Sequence, residues 1–148
     1  MASQSRRRVF FDTNVLFSGI HSASGRPAEL VGDAVAGRLI GVVSQEVLSE
    51  LSRNLLRKAP HLLSRMGELV LGAYFEIVPD PPDQDIVRWR DAGFGTDAPI
   101  VAAAILASVD YFCTSDRRLL GKAALIEKAG PRAVTPTEMA GILTLENP

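Results

Sequence analysis

Short runs of apolar, β-prone residues alternate along the chain with longer stretches whose apolar residues recur at helical spacing. The short runs predict strands over residues 9–11, 39–43, 75–78 and 110–114. The intervening stretches predict helices over residues 15–20, 27–36, 45–59, 61–73, 83–90 and 97–107. This alternation favours an α/β fold, a three-layer α/β/α sandwich around a mostly parallel central sheet.

Capping residues mark where several of these helices begin. Ser44 is predicted to cap the helix that follows the second strand. The glycines before Thr96 predict a loop, after which Thr96 is expected to cap the helix over residues 97–107. The segment Thr135-Pro136-Thr137-Glu138 combines a capping box with a proline in the first turn, so it predicts a last helix through about residue 143.

The length and composition fit a single domain. The chain has 148 residues, of which 47% are hydrophobic, and this suffices for one core without room for a second domain. We expect residues 1–7 to form a flexible tail and residues 8–144 to form the domain. The single cysteine, Cys113, has no partner for a disulfide, and no apolar run approaches the roughly 20 residues that span a bilayer. A cytoplasmic protein without a membrane segment is therefore expected.

Acidic residues follow two of the predicted strands. Asp12 follows the first strand and Asp116 follows the strand over residues 110–114, so a parallel sheet brings both carboxylates to one edge. Asp97 lies at a predicted helix start, which belongs at the same edge and favours a carboxylate. Each residue alone has an ordinary explanation as a turn or cap residue. Three acids at one edge indicate a site for Mg²⁺ or Mn²⁺, because such ions prefer oxygen ligands.

A fourth acid is expected from the helix after the second strand, which offers Glu46 and Glu50. At about 100° per residue, the apolar stripe of this helix centres far from Glu46, whereas Glu50 lies nearer the border of the stripe. Glu50 can therefore lean toward the sheet edge. We select Glu50 and interpret Glu46 as a first-turn acid that the helix dipole stabilises.

Four segments carry these acids in order along the chain: VFFDTNVLFSGI, SQEVLSELSRNLL, TDAPIVAAAI and DYFCTSDRRLL. They resemble the successive acidic motifs of PIN domains, a family of metal-dependent nucleases, and the resemblance runs from about Val9 to Leu143. It implies one catalytic and metal-binding quartet that holds one or two Mg²⁺ or Mn²⁺ ions: Asp12, Glu50, Asp97 and Asp116. A divalent ion at such a site would acidify a water for in-line attack on phosphorus.

The resemblance also assigns supporting roles around the quartet. Polar neighbours of the acids are expected to hold the carboxylates in place: Thr13, Asn14, Thr114 and Ser115. The segment over residues 79–95 departs from the most compact members of the family. Asp83 and Asp85 in that segment therefore stay open as substitutes or helpers.

Many small bacterial PIN domains are VapC-type toxins, ribonucleases that a bound antitoxin holds inactive. The resemblance thus implies an endoribonuclease acting on single-stranded RNA or exposed loops, a small antitoxin partner and a homodimer. The formal net charge is −1, but four acids gathered into one site leave the remaining surface net positive. Several basic residues near the motifs are candidates for RNA contact: Arg53, Arg57, Arg117, Arg118 and Lys122.

Two other functions stay open on the sequence. The segment from Gly93 to Ala98 fits the pattern G-x-G-x-x-A of dinucleotide-binding modules, and Asp116 follows at nearly the distance of a ribose-binding acid. That fingerprint needs a strand directly before it, whereas residues 86–91 are charged and interrupted. The other function is a PIN-fold protein-interaction module that no longer cleaves RNA, since a fold does not determine a function. The presence of all four acids disfavours this second alternative.

Overall fold

Five parallel strands form the central sheet of the computed structural model within residues 6–146, the part of the chain that the structure describes. The strands are β1 (Arg8–Phe11), β2 (Ile40–Ser44), β3 (Phe75–Val78), β4 (Tyr111–Cys113) and β5 (Arg132–Val134). Their order in the sheet is β3-β2-β1-β4-β5, and every neighbouring pair is parallel. The prediction of an α/β fold with a mostly parallel sheet is confirmed.

Helices connect the strands. They are α1 (Thr13–His21), α2 (Arg26–Val35), α3 (Gln45–Lys58), α4 (Leu63–Leu71), α5 (Asp83–Trp89), α6 (Ala98–Leu106), α7 (Arg117–Leu120), α8 (Ala123–Ala129) and α9 (Pro136–Glu146). Short 3₁₀ segments lie at Pro60–Leu62 and Gly95–Asp97, and a π-helical turn lies at Arg90–Phe94. Residues 1–5 of the predicted tail lie outside the described residues, and Arg6 and Arg7 lead directly into β1.

The central strand, β1, is apolar on both of its faces. Val9, Phe10 and Phe11 are fully buried, as expected for a parallel strand that helices cover on both sides. Phe10 stacks on Phe112 of β4 with ring centroids 5.7 Å apart, and Phe11 meets Phe75 of β3 edge-on at 5.4 Å. These contacts and the strand pairing fix the relative positions of the residues that follow β1 and β4.

The order of the strands places a crevice at a defined point of the sheet. The chain crosses from β1 to β2 to β3 in one direction and continues from β4 to β5 in the other, so right-handed crossovers put the connecting helices on opposite faces. On one side α1 packs against α2 and α3, and α2 packs against α9; on the other, α6 packs against α5 and α8. The direction changes between β1 and β4, where parallel α/β sheets bind ligands at the carboxyl ends of their strands.

Two of the three predicted helix caps are present. Ser44 caps α3, because its hydroxyl accepts a hydrogen bond from the Val47 N–H at 3.3 Å. The Thr135 N–H donates to the Glu138 carboxylate at 3.0 Å, and the Glu138 N–H donates to the Thr135 hydroxyl at 3.1 Å, which completes the capping box. The cap predicted at Thr96 is wrong. A 3₁₀ turn occupies Gly95–Asp97, so Asp97 is the residue that precedes α6.

The sequence pattern missed three short elements near the C-terminus. α7 has four residues, α8 has seven and β5 has three, so none of them is long enough to show a clear periodicity. The loop predicted before Thr96 is a π-helical turn, in which Gly93 adopts a φ of 105° that favours glycine. Among the described helices, none has the length and apolar character needed to cross a membrane.

Candidate functional site

Asp12 and Asp116 lie together at the point where the strand order reverses. Asp12 directly follows β1 and caps α1, and its backbone N–H donates to the Cys113 carbonyl of β4 at 3.0 Å. Asp116 follows β4 and caps α7. Both carboxylates therefore emerge at the carboxyl ends of adjacent strands, as the parallel order requires.

The Asp12 carboxylate is buried, with only 6% of the residue exposed, and donors hold both of its oxygens. Oδ1 accepts a hydrogen bond from the Thr13 N–H at 2.8 Å. Oδ2 accepts from the Thr114 hydroxyl at 2.7 Å and from the Asn14 amide at 3.2 Å. Three donors from two segments of the chain thus fix the orientation of this carboxylate.

Burial raises the pKa of Asp12 to about 6, because an ionised carboxylate loses hydration when it leaves water. The hydrogen bonds from Thr114 and Thr13 oppose this rise in pKa, while the nearby negative charges of Glu50 and Asp97 add to it. No ion pair to Asp12 exists among residues 6–146. A cation bound next to Asp12 would stabilise its ionised carboxylate and lower its pKa.

Glu50 joins the same site through α1. The Thr13 hydroxyl donates to Glu50 Oε2 at 3.0 Å, which links the first turn of α1 to the middle of α3. Glu46 is engaged elsewhere, because its backbone N–H donates to Asp80 at 2.9 Å and its carboxylate lies 3.5 Å from Arg53. The structure therefore places Glu50, rather than Glu46, beside Asp12.

Asp97 and Asp116 face each other across one arginine. Arg118 Nη2 lies 3.5 Å from Asp97 Oδ2 and 3.4 Å from Asp116 Oδ2, and the Arg118 N–H donates to Asp116 Oδ1 at 2.8 Å. Partial burial raises the pKa of Asp97, and the negative charge of Asp116 raises it further, while Arg118 and Lys122 oppose the rise. Sequence reasoning assigned Arg118 to RNA contact only, and its bridging position depends on a side-chain conformation that no sequence pattern reveals.

The four predicted supporting residues form one hydrogen-bond network between the two strand ends. The Thr114 hydroxyl donates to Asp12 and accepts from the Asp116 N–H at 3.0 Å, so it connects two of the carboxylates. The Asn14 amide oxygen accepts from the Ser115 N–H at 3.1 Å. Ser115 thus takes part through its backbone. The network orients the acids before any ligand binds.

The donor set fits a hard divalent cation in kind, because all four acids offer carboxylate oxygens. Within residues 6–146, however, no three histidine, cysteine, aspartate or glutamate side chains are arranged closely enough to hold one ion together. The four acids are neighbours without sharing one binding position, and Arg118 lies between Asp97 and Asp116. An ion bound to Asp97 and Asp116 would compete with Arg118 for these two carboxylates.

The other predicted site residues occupy varied positions. Asp83 and Asp85 lie in the first turn of α5, and no hydrogen bond or ion pair in the described chain joins either one to the four acids. Arg53 and Arg57 are exposed on α3. Three basic residues line a cleft of about 440 Å³ that also contains Asp97: Arg117, Arg118 and Lys122.

Lys122 is tied to the wall of this cleft. Its ammonium donates to the Gly93 carbonyl and lies 5.2 Å from the centre of the Phe94 ring. The glycine pattern that resembled a dinucleotide fingerprint thus forms part of the cleft wall. It follows helix α5 and a π-helical turn instead of a strand, so the context that the fingerprint requires is missing.

Comparisons with known proteins agree with this architecture. The sequence model of the family described as "PIN domain" matches residues 8–118, which contain all four acids. The crystal structure of PAE2754 from Pyrobaculum aerophilum superposes with a TM-score of 0.66 over 94% of this chain and 96% of that chain. The two sequences are 16% identical, so this likeness concerns the fold. No curated protein matches the sequence.

Proposed function

The chain belongs to the PIN-domain family, whose members are generally metal-dependent nucleases, and on this premise we propose that it is a Mg²⁺- or Mn²⁺-dependent endoribonuclease. One observation carries the proposal: four carboxylates from four separate segments lie in one neighbourhood where the strand order reverses, linked in pairs through Thr13, Arg118 and their electrostatic effects on one another. They are Asp12, Glu50, Asp97 and Asp116. All four belong to the segment that matches the family.

In the proposed mechanism, the chain's own residues orient the acids. Thr13, Asn14 and Thr114 hold the Asp12 carboxylate through three hydrogen bonds, so that its oxygens need little reorganisation when a ligand binds. The Thr13 hydroxyl also fixes Glu50. A divalent ion held by these acids would supply Lewis-acid stabilisation of the charge that develops on the phosphate.

RNA is the proposed substrate because basic residues border the acids on one side. Arg117 and Lys122 line the cleft beside Asp97, and their positive charges would attract the phosphates that flank the scissile one. The negative charge of the four acids would otherwise repel a nucleic acid. The resemblance of the acidic motifs to those of PIN domains favours single-stranded RNA and exposed loops as the substrate.

The direct test is cleavage of an unstructured RNA in Mg²⁺ or Mn²⁺, with Asp116→Asn compared with wild type. We expect the variant to lose more than about a hundredfold in rate, since even residues that only orient metal ligands are worth about 10- to 100-fold. Asp83→Asn is the matched control, because it makes the same substitution at an exposed acid outside the network. Equal cleavage by Asp116→Asn and wild type would refute the assignment, and no cleavage by wild type would favour a silent interaction module.

We further propose that this ribonuclease is the toxin of a cytoplasmic toxin–antitoxin pair, with a small antitoxin that covers the acidic edge of a homodimer. The support is the resemblance of the acidic motifs to those of VapC-type toxins. Induced expression in bacteria should arrest growth, Asp116→Asn should not, and co-expression of a short upstream reading frame should restore growth. If the chain cleaves RNA in solution but does not arrest growth, the ribonuclease proposal stands and the toxin proposal is wrong.

A further inference from the structure

A stripe of side chains runs away from the acidic site along the seam between α1 and α3. Thr13, Phe17 and His21 follow each other at intervals of four residues on α1, so they lie on one face of that helix. Glu50, Asn54 and Lys58 repeat the same interval on α3. α1 packs against α3, and side chains of these two faces are in contact.

Two contacts show that the stripes run side by side in the same direction. At the acidic end, the Thr13 hydroxyl donates to Glu50 at 3.0 Å. Farther along, the Lys58 ammonium lies 5.4 Å from the centre of the Phe17 ring. Phe17 and His21 lie roughly 6 Å and 12 Å beyond Thr13 along the helix axis, at 1.5 Å per residue.

The far part of the seam carries two stacked aromatic rings with a cation beside them. The Phe17 and His21 rings stack with centroids 5.5 Å apart and planes 12° apart. Phe17 is half-buried and His21 is exposed, so an anchored ring supports a ring that solvent can reach. Lys58 is also exposed and adds a positive charge beside the stack. Aromatic rings next to a cation are the usual platform for single-stranded nucleic acids, whose bases stack while a phosphate pairs with the charge.

We propose that His21, supported by Phe17, is a stacking platform for a base of the RNA strand that occupies the acidic site, and that Lys58 contacts a phosphate of the same strand. The proposal rests on the proposed ribonuclease function and extends it to the opposite side of the site from Arg117 and Lys122. It assigns the strand two anchors, one on either side of the acids. Phe17 lies within the first acidic segment and His21 directly follows it, but the pattern of acids assigns neither residue a role. Their proposed role follows from the packing of α1 on α3.

The test measures binding of a short fluorescein-labelled oligouridylate by anisotropy, using the full chain with Asp116→Asn to suppress cleavage. His21→Ala should weaken binding about fivefold or more, the range found for loss of one base–aromatic stack. Phe17→Leu, which keeps an apolar side chain at the half-buried position, should weaken binding in the same direction. Tyr74→Ala is the matched control, because Tyr74 is an aromatic residue that is 43% exposed, lies at the amino end of β3 and belongs to neither stripe.

An oligonucleotide of equal length without bases separates stacking from a general loss of structure. His21→Ala should bind it as tightly as the Asp116→Asn parent does, whereas a misfolded variant would lose affinity for both ligands. Lys58→Gln should lower the slope of log Kd against the logarithm of the salt concentration by about one, because one phosphate contact is lost. Lys128→Gln is the control, since it makes the same substitution at an exposed residue in the last turn of α8, and it should leave this slope unchanged.

The outcomes distinguish the platform from the proposed function. If the parent binds the oligouridylate and His21→Ala binds it as Tyr74→Ala does, the platform is overturned while the ribonuclease proposal stands. If His21→Ala weakens binding of the base-free oligonucleotide equally, stacking is overturned. If the parent binds no RNA at all, both proposals fail.

Discussion

At the scale of single residues, Arg118 offsets part of the negative charge of the acidic site. Its guanidinium lies within 3.5 Å of both Asp97 and Asp116, so it offsets their mutual repulsion in the absence of a metal ion. The same position makes it a competitor of a divalent cation for these two carboxylates. Because 77% of its side chain is exposed, water weakens each ion pair to about 0.2–1 kcal/mol.

Arg118→Gln should therefore bind Mn²⁺ about two- to fivefold more tightly than wild type, since the ion no longer displaces a cation of the protein. Arg117→Gln is the matched control, because it removes one positive charge from the same cleft without breaking an ion pair to either acid. Calorimetric titration of the three metal-free proteins measures the affinities. Equal affinities for the two variants would show that Arg118 acts only through its long-range field.

At the scale of elements, the packing of α1 on α2 depends on a glycine. A Cβ atom at Gly19 would lie 2.7 Å from Val31 Cγ2 and 2.9 Å from the Pro27 carbonyl oxygen, which belongs to the backbone and cannot rotate away. Gly32 on α2 has open space around the corresponding position. A side chain therefore has no room at Gly19 on α1 but has room at Gly32 on α2.

Gly19→Ala should destabilise the domain by about 1–3 kcal/mol, the usual cost of overpacking. Gly32→Ala should stabilise it by about 0.5–1 kcal/mol, because alanine restricts the unfolded chain and favours the helix. Urea unfolding of both variants measures the two changes. A Gly19→Ala protein as stable as wild type would mean that α1 and α2 separate at little cost.

The elements also show how much of the fold and of the candidate site can be predicted from the sequence. β1 is predictable because three adjacent apolar residues precede Asp12, and the convergence of Asp12 with Asp116 follows from parallel strands alone. β5 is not predictable, since a three-residue strand has no measurable alternation. The choice of Glu50 over Glu46 follows from helix geometry, and the hydrogen bond from Thr13 agrees with it. The position of Arg118 depends on side-chain torsions, which local pattern does not specify.

At the scale of the whole molecule, the acidic site couples stability to pH. The pKa of Asp12 is raised to about 6 in the folded protein, above its value of about 4 in an unfolded chain. Between these two values the folded state binds more protons than the unfolded state, so stability increases as pH falls through this range. At neutral pH the buried charge instead costs stability. Metal binding would offset that cost through mass action.

In a chelating buffer, the contribution of Asp12 to the free energy of unfolding should increase by about 1 kcal/mol between pH 7 and pH 5, since one pKa unit corresponds to about 1.4 kcal/mol. Asp12→Asn removes this contribution, because asparagine does not titrate, while every other titratable group remains. Urea unfolding of both proteins at the two pH values gives the difference directly. A wild-type protein whose stability follows the same pH dependence as the variant would show that Asp12 is already ionised at pH 5, and that hydrogen bonds from Thr13, Asn14 and Thr114 outweigh its burial.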